Sequence, residues 1–322
     1  MNTTPSPHTA TPLNQAVSER NRPRLDATDR MGADGERALV LGGGGSTGNA
    51  WLIGVIAGLF DAGLDVTAAD RTVGTSAGST AAAQIAGATP TELYAATVAA
   101  VPPPRTGAAS PRRSPAAGHM DRTRRIVEDS ADIVDMRRRL GAAALDLDAT
   151  SDGSWTTRWR DIVAARLPDQ RWPQRSVLIT AVDAQSGDPV VFDRDSGIDL
   201  VDAVAASCSS GLPYRIGDHL FIDGGYRINA ENADLADGFA RVLVLSPFGG
   251  RTRTPADWGL DLAAQVADLR THGSRVETIC PTDDAEHLFG ANAMDYSLRP
   301  TAARVGHDQG RALAGSLADF WT

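Results

Sequence analysis

The sequence predicts an α/β fold with a mainly parallel central sheet covered by helices on both faces, and three observations lead to it. Short apolar runs rich in Val, Leu and Ile alternate along the chain with segments whose apolar residues recur at helical spacing. Two glycine-rich turns, Gly42-Gly43-Gly44-Gly45-Ser46-Thr47-Gly48 and Gly74-Thr75-Ser76-Ala77-Gly78, each leave a strand-like run and enter a helix-like one. A chain of 322 residues with 42% hydrophobic content is long enough for one large domain with a complete core.

The elements follow in order. Met1 to about Asp34 is rich in Thr, Pro, Asn and charge and lacks the apolar core of a secretory signal, so residues 1–35 read as a disordered arm and 36–322 as the domain. Ala38-Leu39-Val40-Leu41 suits a buried strand. Leu52, Val55, Ile56, Leu59 and Phe60 then mark a helix with one buried face, in which Gly54 and Gly58 would let it lie close to a sheet. From Ala38 to Phe60 no residue is charged, yet four consecutive glycines interrupt the run, so no membrane span is expected. Arg71-Thr72-Val73 reads as a strand end, and Ala77 to Gly87 as a tightly buried helix of small residues. Thr89-Pro90-Thr91-Glu92 opens a short helix through about Ala100, closed by Pro102-Pro103-Pro104.

Residues 101–172 read as a helical insertion and a candidate lid. Arg105 to Gly118, rich in Pro, Ser, Ala and Gly, is expected as a mobile loop. Ile126, Ile133, Leu140 and Leu147 repeat every seven residues, giving an amphipathic helix or a broken pair. Nine Arg face five acids between Arg105 and Arg139, so this part is basic and offers peripheral contact with an anionic membrane, the alternative being a helix packed on the domain. Trp155, Trp159 and Trp172 follow, read as core rather than acyl-site lining. Strands are expected at Ser176 to Val182, Pro189 to Phe192, Leu220 to Ile222, Arg241 to Leu245 and Arg275 to Cys280. Helices are expected at Asp199 to Ser207, Trp258 to Thr271 and Pro300 to Phe320.

Chemistry concentrates at the turns. A glycine-rich turn at a helix start presents backbone N–H groups where the macrodipole favours negative charge, an anion site. Gly-x-Ser-x-Gly at a sharp strand-to-helix turn lifts a serine hydroxyl out of the backbone, which makes Ser76 the candidate nucleophile. Downstream, Leu220-Phe221-Ile222 runs into Asp223-Gly224-Gly225, a carboxylate at a strand end on a turn that lets another backbone approach.

These three pieces, in this order over about residues 37 to 250, resemble the patatin-like phospholipase family. The resemblance implies a patatin-like three-layer fold and a serine acyl hydrolase of lipid or phospholipid esters. It further implies a Ser76–Asp223 dyad of nucleophile and base, an oxyanion hole at Gly43, Gly44 and Gly45, and motif turns using Gly48, Gly74, Gly78, Gly224 and Gly225. The family's first turn commonly begins with Asp and carries Arg or Lys just before its last Gly. Here those positions are Gly42 and Thr47, so no side-chain contact to a phosphate is expected at Thr47.

Two other readings stand beside it. Ser76, Asp223 and one of His272, His287 or His307 are in the chain order of an α/β-hydrolase triad, although that elbow is normally preceded by more strands. Gly43-x-Gly45-x-x-Gly48 also fits a dinucleotide fingerprint, for which Asp70 is the nearest acid. Other functions are disfavoured by composition. A formal charge of −9 argues against nucleic-acid binding. The chain has no Lys, which removes Schiff-base and Walker-type chemistry. His and acidic residues never stand at metal-ligand spacing, so neither metal nor cofactor is expected. Cys208 and Cys280 lie far apart, consistent with a reduced, cytoplasmic protein, peripheral to a membrane where the basic segment docks.

Overall fold

The computed structural model of the chain describes residues 25–30, 32, 35–100 and 115–322. Among them run strands β1 (Arg37–Leu41), β2 (Arg71–Gly74), β3 (Ser176–Asp183), β4 (Pro189–Phe192), β5 (Tyr214–Ile216), β6 (His219–Asp223), β7 (Arg241–Leu245) and β8 (Arg275–Ile279). The helices are α1 (Gly45–Asp61), α2 (Ala77–Gly87), α3 (Pro90–Ala99), α4 (Pro115–Glu128), α5 (Ile133–Asp148), α6 (Trp155–Ala164), α7 (Leu200–Ser207), α8 (Leu262–Thr271) and α9 (Arg299–Trp321).

One sheet runs in the order β5-β6-β3-β2-β1-β7-β8, with β4 also on β3. The pairings from β3 through β8 are parallel, and those that join β4, β5 and β6 are antiparallel. The two-residue period of a strand divides the core between the faces. Leu39, Leu41, Leu243 and Leu245 face α1 and α9, whereas Ala38, Val40, Val242 and Val244 face Leu262, Val266 and Leu269 of α8. The parallel strands read as continuous apolar runs because both faces are covered.

Helix α1 is buried almost all round rather than on one face. Its glycines do not serve the sheet, as the sequence reading had it; they serve α9. A Cβ on Gly54 would lie 2.1 Å from the Ala303 carbonyl oxygen and one on Gly58 2.1 Å from that of His307. The contact is reciprocal, since a Cβ on Gly306 would meet the Trp51 carbonyl oxygen at 2.4 Å and one on Gly310 that of Val55 at 2.3 Å. Two Gly-x-x-x-Gly faces thus cross with their backbones touching, a contact written in residues some 250 positions apart.

Other boundaries differ from expectation for local reasons. Residues 1–24 of the expected arm lie outside the described residues, but Leu25 to Arg30 are packed on the sheet edge. There the Ala27 N–H donates to the Val191 carbonyl at 2.7 Å, and Arg30 pairs with Asp193. The α3 start carries the full capping box, with Thr89 and Glu92 bonded reciprocally. Residues 105–114 of the expected loop lie outside the described residues, and 115–118 belong to α4. The seven-residue repeat resolves into the broken pair α4 and α5, restarted by Asp132, whose carboxylate accepts from the N–H groups of Val134 and Asp135. Val127, Met136, Leu140 and Ala144 of this pair pack on Val182, Leu220 and Ile222. Of its arginines, Arg137 is engaged with the carbonyls of Gly187 and Arg227, Arg124 pairs with Asp121 and Arg139 with Asp135. The helix expected from Trp258 is split into a 3-10 turn at Ala256–Trp258 and α8, which Asp261 caps. No helix among the described residues is long and apolar enough to cross a membrane.

The crossing of α1 and α9 generates a paired prediction. Alanine normally favours a helix over glycine by about 1 kcal/mol, so Gly315→Ala, at an exposed α9 position with no atom within 4 Å, should raise the thermal midpoint slightly. Gly54→Ala should lower it, by about 2–3 kcal/mol of stability, because its Cβ meets backbone that cannot rotate away. Thermal unfolding of both variants checks this; a rise in both would refute the close crossing.

Candidate active site

The strand register brings the two glycine-rich turns together. Leu41 pairs with Gly74 at the carboxyl ends of β1 and β2, and the Thr75 N–H donates to the Leu41 carbonyl at 3.1 Å. Such carboxyl ends are where open α/β sheets place their ligands. β6 pairs with the last residues of β3, Ala181 opposite Asp223, and so delivers Asp223 to the same end of the strands.

Ser76 caps α2 with φ 51° and ψ −115°, a strained conformation for a residue with a side chain. The neighbouring glycines explain why it must be so tight. A Cβ on Gly78 would fall 1.9 Å from the Leu41 carbonyl oxygen, so α2 starts directly against the end of β1. Gly74 closes β2 beside Ser79, Gly48 packs in α1 against Pro247, and Gly224 fits beneath Thr180.

The Ser76 hydroxyl donates to Asp223 Oδ2 at 2.8 Å, and the Gly225 N–H donates to Asp223 Oδ1 at 2.8 Å. Burial pushes the Asp223 carboxyl up to about 6, against the opposing pull of the Gly225 N–H, the Ser76 hydroxyl and the Arg253 charge. The Ser76 N–H donates to Ser207 Oγ at 2.9 Å, and its carbonyl accepts from Ser79 Oγ at 2.6 Å and Cys208 Sγ at 3.1 Å. Burial pushes the Cys208 thiol up to about 11, so it stays protonated beside the serine.

The glycine turn needs one correction. The Gly43 N–H is not available to a ligand, because it donates to the Ala230 carbonyl at 2.8 Å, just as that of Gly42 donates to Leu245. The N–H groups of Gly44 and Gly45 find no acceptor among the described residues, and both residues line the same cavity as Ser76 and Asp223. That cavity has a volume of about 1690 Å³ and extends from the turn past Trp159 to Met120 and Val127. Trp159 packs against the core, as expected, and its half-buried ring also forms wall of the cavity, with the indole N–H held by the Ala205 carbonyl at 3.0 Å.

Below the site lies a polar network that the sequence reading missed. Asn232, fully buried at φ 54°, donates from Nδ2 to Thr75 Oγ1 and to the Gly224 carbonyl, each at 3.0 Å, while Thr75 and Thr180 hydroxyls lie 3.0 Å apart. One side chain thus joins the neighbour of Ser76 to the neighbour of Asp223. An Asn in the left-handed region was the only local signal available, and it is invisible without backbone angles.

The alternative assignments fail on position. Among the described residues no histidine bonds Ser76 or Asp223: His272 bonds Asp237, His307 bonds Asp61, and His287, on the cavity wall, bonds the Asp284 carbonyl. Asp70 stands at the start of β2, accepting from the N–H groups of Glu36 and Arg37. It is therefore at the amino-terminal end of the strands, opposite the glycine turn, and out of reach of a nucleotide held there. Among the described residues no group of three or more His, Cys, Asp or Glu is disposed to hold a metal ion.

Residues 39–236 match the family model of the patatin-like phospholipases, and the chain belongs to that family, which suggests lipid acyl hydrolase activity. Among solved structures, VipD from Legionella pneumophila aligns with a TM-score of 0.38 and 13% sequence identity, over 88% of this chain and 67% of that one. A search of curated proteins returns no match.

The environment of Asp223 generates a stability prediction. Its folded pKa of about 6 lies above the ordinary carboxyl value, so its contribution is fully favourable below pH 4 and is lost as pH rises through 6, where the buried charge costs the folded state. Asp223→Asn should therefore stabilise the protein at pH 8 relative to pH 4 by about 3 kcal/mol, at 1.36 kcal/mol per pKa unit. Denaturant unfolding of both proteins at both pH values checks this; an equal difference at the two values would contradict it.

Proposed function

We propose that the protein is a serine acyl hydrolase of lipid or phospholipid esters, working through a Ser76–Asp223 dyad. The observation that carries this reading is the 2.8 Å hydrogen bond from the Ser76 hydroxyl to Asp223 Oδ2, at a strained elbow on a large cavity. The family membership supports the lipid ester as the substrate class.

In this mechanism Ser76 Oγ attacks the acyl carbonyl carbon as its proton passes to Asp223 Oδ2. The tetrahedral oxyanion is held by the N–H groups of Gly44 and Gly45, each such donor being worth about 3–4 kcal/mol in comparable sites. Gly43 contributes indirectly, its N–H anchoring the turn to Ala230. Collapse expels the alcohol, which takes the proton back from Asp223 and leaves an acyl ester on Ser76. Water then attacks that ester, giving a proton to Asp223, and Asp223 returns that proton to Ser76 Oγ as the carboxylic acid departs. A carboxylate poised near 6 suits both roles, since it is ionised at neutral pH yet accepts a proton more readily than an exposed aspartate. Gly225 keeps Oδ1 occupied, leaving Oδ2 for the proton.

Ser76→Ala and Asp223→Asn should each lower kcat for a medium-chain acyl ester by at least about 10³-fold, because members of such a unit fail together. For the wild type, kcat/KM should rise with pH through about 6 and stay level above it, following ionisation of Asp223. Steady-state rates from pH 4.5 to 8.5 give both results. Near-normal turnover by Asp223→Asn would overturn the dyad.

A further inference from the structure

Four arginines line the cavity, Arg166, Arg251, Arg253 and Arg299, and none belongs to a sequence motif; Arg166 and Arg299 are the two considered together, because the charge of one acts on the other. Arg299, the first residue of α9, donates to the Ser46 carbonyl at 2.7 Å, to Ser46 Oγ at 3.3 Å and to Asn49 Oδ1 at 3.0 Å, all at the start of α1. Arg166, just beyond α6, donates to the Tyr296 hydroxyl, with its guanidinium 5.2 Å from the Trp159 ring centre and 5.9 Å from that of Tyr296. Among the described residues neither forms an ion pair with a carboxylate. Of the carboxylates that line the cavity, Asp223 is bonded by Ser76 and Gly225, Glu286 pairs with Arg251 and Asp121 with Arg124, while Asp283 and Asp284 are exposed.

This placement is unfavourable for the empty protein. A largely buried cation without a counter-ion is expensive in low dielectric. Burial, and to a lesser degree the charge of Arg166, pulls Arg299 below the usual arginine range. It also sits against the first turn of α1, the positive end of a helix dipole, which disfavours a cation. Two guanidinium groups and a helix N-terminus converge here in a protein of formal charge −9. An anion between them turns each repulsion into an attraction, and the planar guanidinium fork matches the oxygens of a phosphate.

We propose that Arg166 and Arg299 form a phosphate-binding subsite beside the glycine turn, which holds the phosphate of an acyl phospholipid while its ester lies at Ser76. The ester placement rests on the acyl hydrolase reading above, whereas phosphate binding does not. In a glycerophospholipid the phosphate is only a few bonds from the acyl ester, which fits a subsite on Ser46 and Asn49, beside the free N–H groups of Gly44 and Gly45.

The test is binding without turnover, by calorimetry on Ser76→Ala protein with dodecyl phosphate, inorganic phosphate and neutral monododecanoylglycerol, each below its micellar concentration. Dodecyl phosphate should bind at least about tenfold more tightly than the neutral amphiphile or inorganic phosphate, as expected for a charge-assisted site beside an apolar one. Arg166→Gln and Arg299→Gln should each weaken dodecyl phosphate by at least about tenfold while changing the neutral amphiphile by less than about threefold, and Arg299→Lys should retain part of the preference. Equal affinity for the charged and neutral amphiphiles, or unchanged phosphate preference in both Gln variants, would overturn the subsite. Inorganic phosphate binding as tightly as dodecyl phosphate would overturn the headgroup assignment. Should Arg299→Gln fail to fold, the half-buried Arg166→Gln decides alone. Phosphate selectivity in a protein whose wild type hydrolyses no ester would refute the reaction and leave the subsite standing.

Discussion

The site depends on how closely the start of α2 approaches the end of β1. At Gly78 there is no room for a side chain against the Leu41 carbonyl, and that contact fixes where the helix begins. With the strand ending at Gly74 and the helix beginning at Ala77, two residues must complete the reversal, and Ser76 takes the strain. Its carbonyl is then tied down by Ser79 and Cys208 and its N–H by Ser207, so the hydroxyl is the one part of the residue that points to the cavity. Strain of this kind, of order 1–3 kcal/mol, persists only where neighbouring contacts over-determine the conformation.

A second cost is electrostatic. Burial holds Asp223 at about 6 and Glu231 at about 7, the latter beneath the glycine turn with the Ser246 hydroxyl donating to it at 2.6 Å. Neither carboxyl has an arginine bonded to it. A fold selected for stability alone would bury neither group unpaired. What compensates is the apolar bulk on both sheet faces and the backbone contact of α1 with α9, which needs four glycines and tolerates no methyl group in their place.

The legible part of this molecule was local. The strand at Ala38–Leu41, the capping box at Thr89 and Glu92, and the three motif turns each carry their signal within a few residues, where steric and hydrogen-bonding rules act directly. The mainly parallel sheet followed from alternation of such segments. What could not be read was set by partners far along the chain. Gly54 and Gly58 looked like sheet-packing glycines because nothing local names Ala303 and His307 as their neighbours. Gly43 looked like a free donor until Ala230 was seen to accept from it. Asn232 and Arg299 act on residues more than 150 positions away, and an Asn or Arg of either kind is unremarkable in sequence.

The central claim is that Ser76 owes its nucleophilicity to Asp223, and covalent labelling tests it most directly. Incubation with a fluorophosphonate, followed by peptide mapping by mass spectrometry, should place the adduct on the peptide containing Ser76. The second-order labelling rate should fall at least about 100-fold in Asp223→Asn, in line with loss of a general base. An adduct on another residue, or an equal rate in the two proteins, would contradict the account.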